Sequence, residues 1–501
     1  MIAIPLLAAA LSALHPAPTH AGAFFSISLA QDSLRGRVTD AAGQPIAGAR
    51  VAVLELERGT RTDRDGNFAL GGVPAGVYTL RVTAPGYAAL TRRATSDEDV
   101  GLLPLAERSF ELDPVAVTAS RTPQLIAASP RSTSVLGPER LRREHSVSLA
   151  HTLATLPGVR AVTTGEQVGK PVVRGLFGAR VAVLAAGLRL EDYSWSDEDA
   201  PSVDARLAER VEVIRGPASL LYGSDAVGGV VNVIPEPLPD ASGRAFMRGG
   251  VETYFASGNL EGGLVARGEG ATGSVGWRAT VIGRMGQDVH TPDGEIPNTG
   301  FGALNGELAL GTSRPWGTLA LRYQRYGGEF KLLEADGSAL PDGEEEEEEG
   351  GPERKLSDDR VQLSGTFPAG GVRLETRAQF QRHVLQEVAD EEIIPVVAAE
   401  GFESVQFDLL LNTFTADVLA HLAPAGFGEA TLGVSGLAQQ NDSRGPELLV
   451  PDASIRSGGA FAVWQNDFGP LRLLAGARVD HRSLAARNIP GTSTPIEDER
   501  D

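Results

Sequence analysis

At 501 residues the chain is long enough for roughly three ordinary domains, or for a large barrel carrying smaller modules. Its 45 Lys and Arg against 65 Asp and Glu give a formal charge of −20, which argues against a general nucleic-acid binder, whose face must be basic. The absence of Cys excludes disulfide scaffolds, thiolate zinc sites, iron–sulfur clusters and Cys nucleophiles, while 60 Gly and few long helical patterns point to β structure.

The chain opens on an apolar run, Ile2 to Leu14, too short to cross a bilayer as a helix. It reads as a signal peptide over residues 1–30 for export by the Sec pathway, with Ser28-Leu29-Ala30 before Gln31 as the cleavage site and Ala21-Gly22-Ala23 as a second candidate. The usual Lys/Arg start is missing, so the true start codon is expected upstream. No later stretch reaches about 18 apolar residues, so any entry into a membrane must be as a barrel.

Residues 34–112 alternate with period two. Val51 and Val53 interleave with Arg50 and Ala52, and Tyr78, Leu80 and Val82 with Thr79 and Arg81, between turns rich in Asp, Gly and Pro. This predicts a small β-sandwich. The strings Gly36-Arg37-Val38-Thr39-Asp40, Pro45-Ile46-Ala47-Gly48-Ala49 and Thr62-Asp63-Arg64-Asp65-Gly66-Asn67-Phe68 resemble the carboxypeptidase regulatory-like domain, which is non-catalytic in this context. Asp63, Asp65 and Asn67 hint at a calcium loop, but no bidentate Glu follows at the required offset, so they are read as a turn.

Asp113, Pro114, Val115, Ala116, Val117, Thr118 and Ala119 form a short extended segment suited to joining the edge of a partner sheet. Ser146 to Leu156 reads as a helix capped by Ser146, with Leu149, Leu153 and Leu156 on one face and Pro157-Gly158 as its stop. Pro171-Val172-Val173-Arg174-Gly175-Leu176 and Arg180 to Leu184 follow. The module closes with Glu209-Arg210-Val211-Glu212-Val213-Ile214-Arg215-Gly216-Pro217 through Gly228-Gly229-Val230-Val231-Asn232-Val233-Ile234. In this order the strings resemble the plug domain of TonB-dependent outer-membrane receptors over 122–236, and residues 113–121 resemble their TonB box. The resemblance implies TonB, of the inner-membrane TonB–ExbB–ExbD complex, as partner. One departure is Ala186, where many relatives carry Asp. Enclosed by a wall, Arg174, Arg210 and Arg215 are expected to pair with Glu209, Glu212 or wall carboxylates, in contacts that must loosen before anything passes.

From residue 240 to 501 the text is alternation. Val361, Leu363 and Phe367 interleave with Arg360, Gln362, Ser364 and Thr366; Leu374, Ala378 and Phe380 with Arg373, Glu375, Arg377 and Gln379. Ala430, Leu432 and Val434 oppose Glu429, Thr431 and Ser435, and Leu471, Leu473 and Val479 oppose Arg472, Arg478 and Asp480. Apolar-out, polar-in hairpins with short turns at 367–371 and 423–428 and long acidic loops at 330–358 and 384–403 predict a barrel in outer-membrane lipid. The chain as a whole is mainly β: a small β-sandwich, an α+β plug domain, then an antiparallel transmembrane β-barrel. About eleven strands are expected, half of a barrel of about 22, so the sequence reads as a partial gene product.

No HExxH, GxxxxGK[ST] or GxSxG occurs and the eight His are scattered, so no enzyme and no resident cofactor are expected. Two acidic features bear on cargo. The loop Tyr193-Ser194-Trp195-Ser196-Asp197-Glu198-Asp199-Ala200-Pro201-Ser202-Val203-Asp204 precedes Leu207-Ala208-Glu209-Arg210, and a long loop carries Glu344, Glu345, Glu346, Glu347, Glu348 and Glu349. The pairing resembles zinc-uptake members of the family, whose plug loop holds an Asp-His pair; on this chain the pair falls on Glu198 and Asp199, without the imidazole. The resemblance implies Glu198 and Asp199 as metal ligands, with His290, His383 or His421 open as wall ligands and the Glu run as a weak cation antenna. A transported divalent metal, best zinc, or a metal complex is the expected substrate. A siderophore, haem, cobalamin or glycan remains open, as does a non-transporting adhesin.

Overall fold

The computed structural model describes residues 33–106, 115–116, 124–125 and 129–487, apart from 164–167, 194–199, 240–244, 333–351, 389–404, 426–427, 446–449 and shorter gaps. The export signal, Glu198, Asp199 and the run Glu344–Glu349 lie outside these residues.

Eleven strands run from Phe246–Ala256 through Glu261–Thr272, Val275–Gly286, Phe301–Arg314, Gly317–Lys331, Glu353–Ala369, Val372–Val388, Val405–Ala425, Gly428–Ser443 and Asp452–Phe468 to Leu471–Arg487. Each pairs with the next in one antiparallel sheet, as the alternation predicts. Burial in this sheet is inverted relative to a water-soluble sandwich. Leu308, Leu310, Val361, Leu363, Phe380, Phe414, Leu432 and Val434 are 44–58% exposed, while Arg278, Glu307, Arg322, Arg360, Gln362, Gln379 and Gln381 are buried. Apolar residues outside and polar residues inside make a lipid-facing wall around a polar lumen.

The strands run further than the loops read from sequence, because Glu353–Asp358 and Val384–Val388 stay in the ladder. Their polar side chains fit a lumen-facing row as well as a loop, and polarity alone does not separate the two. The sheet order is linear, so Phe246–Ala256 and Leu471–Arg487 are edges. Met247, Val251 and Phe255 on one edge, and Leu471 and Val479 on the other, are 56–79% exposed.

The sandwich packs a three-stranded sheet (Asn67–Gly71, Ser33–Asp40, Asp99–Leu105) on a four-stranded one (Arg58–Arg61, Arg50–Val53, Val77–Thr83, Leu90–Thr95). Its core holds Leu34, Val38, Val51, Val53, Leu70, Leu80, Val82 and Leu103. Asp63 Oδ1 accepts from the backbone of Asp65 at 2.9 Å and of Asn67 at 2.8 Å, the turn expected at that loop.

The plug is built on a mixed five-stranded sheet ordered Ser132–Leu136, Ala208–Arg215, Gly229–Pro235, Val181–Ala185, Leu188–Arg189. Its helix is shorter than expected, Leu149–Ala154, and is capped by Ser148, whose Oγ accepts from His151 N. Ser146 does not cap, because the helix begins at Leu149 and Ser148 is the residue adjoining it; the Ser146 backbone N–H donates to Thr152 Oγ1. Leu149, Leu153 and Leu156 are buried together as expected. Among the described residues, Arg210 alone of the three arginines meets the expectation, at 2.8 Å from Glu212 and 2.9 Å from Glu209. Arg215 ends its strand beside Ser132 and donates to Ser132 Oγ, Ser134 Oγ and Pro157 O. Arg174 is exposed in a turn with φ of 51°. Only the arginine inside the strand shares a buried face with its acid.

Within the extended segment 113–119, Val115 pairs with Leu125 and Ala116 with Gln124 in a short antiparallel ladder. Asp113, Pro114, Val117, Thr118 and Ala119 lie outside the described residues.

The hairpin from Val181–Ala185 to Leu188–Arg189 turns on Ala186 and Gly187, both at positive φ, 51° and 83°. Such turns favour Asn or Asp followed by Gly, and Ala in this conformation is strained by about 1 kcal/mol. Ala186→Asn is therefore expected to stabilise the protein by about 0.5–1 kcal/mol, read as a higher Tm in detergent; a lower Tm would remove the strain argument. The two open edges give a second expectation. Each unsatisfied backbone group in lipid costs several kcal/mol, so the 501-residue chain alone should yield no heat-modifiable, lipid-inserted monomer on a semi-native gel.

Candidate functional site

The plug lies against the inner face of the wall, and the wall grips it chiefly by its backbone. Gln362 Nε2 donates to Ala185 O at 3.1 Å, Gln379 to Arg189 O at 3.3 Å and Gln439 to Glu191 O at 3.4 Å. Arg360 Nη2 donates to Ser202 O at 2.5 Å, Arg278 to Glu236 O and Pro237 O at 2.7 and 3.0 Å, and Arg322 to Glu236 O at 3.2 Å. One apolar patch adds to this, where Leu221 and Tyr222 of the plug cluster with Leu419, Phe461 and Val463 of the wall.

The plug loop 191–204 is tied down at both feet. At its far foot Asn305 Nδ2 donates to Asp204 Oδ2 at 2.9 Å. At its near foot Asp192 meets two wall residues that face each other across adjacent strands, Asp358 and His383. His383 Nδ1 lies 3.1 Å from Asp358 Oδ2 and 3.8 Å from Asp192 Oδ2, and all three residues are buried. Arg360 Nε stands 2.9 Å from Asp358 Oδ1, Gln381 Nε2 donates to Asp358 Oδ2 at 2.7 Å, and Ser202 N donates to Asp192 Oδ2 at 2.9 Å. Burial pushes the Asp192 carboxyl up, with Asp358 adding to the rise and His383 and Arg360 opposing it. Burial raises Glu191 too, even though Arg189 sits 2.8 Å away.

Among the described residues, Asp192, Asp358 and His383 are the one group of three or more metal-type side chains whose ligand atoms all lie within 4.8 Å of one another. His383 is thus the histidine the fold brings to the loop, a choice that spacing left open. His421 instead lies at 3.3 Å from Glu375 and 3.0 Å from Thr431, and His290 is half-exposed beside Glu295. Asp192 and Asp358 carried no motif in the sequence. The available signal was a polar residue in the lumen-facing row for Asp358 and an acid at the foot of the acidic plug loop for Asp192.

Residues 126–230 match the family model described as "TonB-dependent Receptor Plug Domain", and residues 33–103 match "Carboxypeptidase regulatory-like domain". Residues 126–230 are thus a plug domain of the TonB-dependent receptor type. Among curated relatives, it is 32% identical over 179 residues to "Vitamin B12 transporter BtuB" of Photobacterium profundum, covering 35% of this chain and 28% of that protein. It is 35% identical over 127 residues to "Iron-regulated outer membrane virulence protein" of Vibrio cholerae, covering 24% and 19%. Among solved structures, "Copper transporter OprC" superposes with a TM-score of 0.62 at 18% identity, over 74% of this chain and 58% of that one. The FrpB iron transporter from Neisseria meningitidis gives 0.59 at 14% identity, over 71% and 58%. The matches thus span less than two thirds of these relatives' own lengths. The lipid-facing wall belongs to the outer membrane.

The regulatory-like sandwich docks beneath the plug, at the rim where the wall makes its short turns. Arg50 pairs with Glu236 at 2.6 Å, Arg93 with Glu429 at 3.0 Å, and Arg50 and Arg81 each approach Glu209 to 4.0 Å. Burial would push Glu209 up, but Arg210, Arg50 and Arg81 together hold it below the usual carboxylate range.

Two outcomes are expected. Arg360→Ala leaves the buried Asp358 without its guanidinium, a loss of about 3–5 kcal/mol, read as a lower Tm and faster proteolysis of loop 191–204. Glu209 has a depressed folded pKa, so its contribution is full above the unfolded value and is lost as pH falls through the folded one. Proteolytic release of the sandwich should therefore rise in acid below the ordinary Glu range, and Glu209→Gln should flatten that dependence.

Proposed function

We propose that this chain is the plug-bearing part of an energy-coupled outer-membrane transporter that imports a scarce nutrient, with TonB of the TonB–ExbB–ExbD complex as its partner. The observation that carries the reading is a folded plug seated in a lipid-facing wall and held largely by side-chain donors on its carbonyls. Each such bond is worth only about 0.5–1.5 kcal/mol net for a glutamine donor and about 1.5–3 kcal/mol for an arginine donor, so a pull on the plug can break them one after another. An adhesin has no need of a removable plug or of a segment that joins a partner sheet.

The cargo we propose is a divalent metal, best zinc, or a metal complex, with Glu198 and Asp199 as ligands at the plug loop and Glu344–Glu349 as a weak antenna. Support comes from the resemblance to zinc-uptake plug loops and from the charge of both loops. A siderophore, haem, cobalamin or glycan is the alternative; the relative named a vitamin B12 transporter speaks for cobalamin and the one named iron-regulated for an iron complex.

Growth of a deletion strain complemented with the gene, on limiting zinc, iron, cobalamin or haem, separates these. Val117→Pro removes a ladder donor from the partner-binding segment and is expected to abolish uptake while leaving cargo binding intact. Uptake at the native rate would end the energy-coupling claim. Glu198→Gln with Asp199→Asn should weaken metal affinity by at least roughly tenfold, about 1.4 kcal/mol; unchanged calorimetric affinity for zinc, manganese and iron would leave an organic cargo.

A further inference from the structure

We propose that Asp192, Asp358 and His383 form a divalent transition-metal site of imidazole and carboxylate ligands, closed only when the plug loop is seated on the wall. It uses different residues from the cargo reading above and stands whether or not that reading does.

The spacing supports it first. Four-coordinate zinc-like ions with bonds of about 2.0–2.1 Å need ligand atoms about 3.3–3.4 Å apart. His383 Nδ1 sits 3.1 Å from one carboxylate oxygen and 3.8 Å from the other, so small rotations bring both to that edge length. The donor set points to the ion. Imidazole beside carboxylates suits zinc and its transition-metal neighbours, whereas calcium and magnesium prefer oxygen alone.

The surroundings orient the ligands as an outer shell does. Arg360 holds Asp358 through Oδ1 and leaves Oδ2 turned to His383, while Ser202 N fixes Asp192 by Oδ2. A second observation is Gln381. It is 1% exposed, its amide nitrogen sits 2.7 Å from Asp358 Oδ2, and its Oε1 has no hydrogen-bond partner among the described residues. Turning that amide by half a rotation presents the oxygen to Asp358's side of the site, where it serves as a neutral fourth ligand to an ion.

One ligand comes from the plug and two come from the wall. An ion bound only to the assembled set stabilises the seated plug by mass action, and withdrawal of Asp192 dismantles the site and frees the ion. The site therefore couples ion occupancy to plug position.

The test uses the full-length gene product in detergent, titrated with Co2+ and with Zn2+. The expected result is one tight equivalent with the intense visible bands of four-coordinate cobalt, and a Tm raised by zinc. Both should persist in Glu198→Gln with Asp199→Asn. Outer-shell partners alone cost about 10–100-fold in metal affinity, so loss of the Gln381 ligand in Gln381→Leu should cost at least roughly tenfold and His383→Gln about 100-fold or more. His383→Cys should restore binding with a thiolate-to-cobalt charge-transfer band. Asp192→Asn decides the question if His383→Gln does not fold, since its carboxylate belongs to the plug. Native affinity in His383→Gln or Asp192→Asn, six-coordinate cobalt in the wild type, or loss of the equivalent in the Glu198/Asp199 variant alone would overturn the site.

Discussion

Inside hydrocarbon a backbone amide has only another backbone to bond with, and everything else in this protein is arranged around that requirement. The wall meets it by pairing eleven strands in register, each with the next. Pairing fixes which residues face outward, and the lipid then selects apolar side chains there, such as Leu308, Leu363 and Val434. The polar rows are left facing the lumen, among them Arg360, Gln362, Gln379 and Gln381. Where pairing stops, at Phe246–Ala256 and Leu471–Arg487, side chains are exposed on both faces.

A lumen lined with donors determines how a plug is held. Arginine and glutamine side chains reach plug carbonyls at 2.5–3.4 Å, and a carbonyl accepts such a bond whatever its own side chain is. Grip of this kind is distributed over many modest bonds, in contrast to the apolar patch around Leu221 and Phe461, where detachment must expose surface all at once. Loop 191–204 departs from the pattern. Besides the carbonyls of Glu191 and Ser202 it is held through side chains, Asp192 near one end and Asp204 at the other, so its position depends also on the identity of its residues.

The sandwich extends the electrostatic logic to the opposite rim. Its arginines reach acids on the plug, Glu209 and Glu236, and on a short wall turn, Glu429. Among these, Glu209 serves two masters, pairing with Arg210 of its own strand and with Arg50 and Arg81 of the sandwich. Plug and sandwich therefore share one charge cluster, and movement of either changes the electrostatic field felt by the other.

Legibility in the sequence followed the range of the interaction. Period-two alternation fixed the wall's strands, and the turn residues and cap chemistry fixed most of the sandwich and plug, because those signals act between near neighbours. Near-neighbour reasoning also erred where a neighbour intervened: Ser146 lost its cap role to Ser148, which adjoins the first helical residue, and Arg215 turned to serines on the adjacent strand rather than to an acid. Acids at 198 and 199 stood out because they are contiguous, whereas Asp192 did not. Only tertiary structure could join Asp192 to Asp358 and His383, which come from a plug loop and two wall strands far apart in the chain. The sequence by itself determined which side of each strand is polar; how the plug sits in the lumen decided which of those polar residues meet, because that depends on the packing of two separately folded bodies.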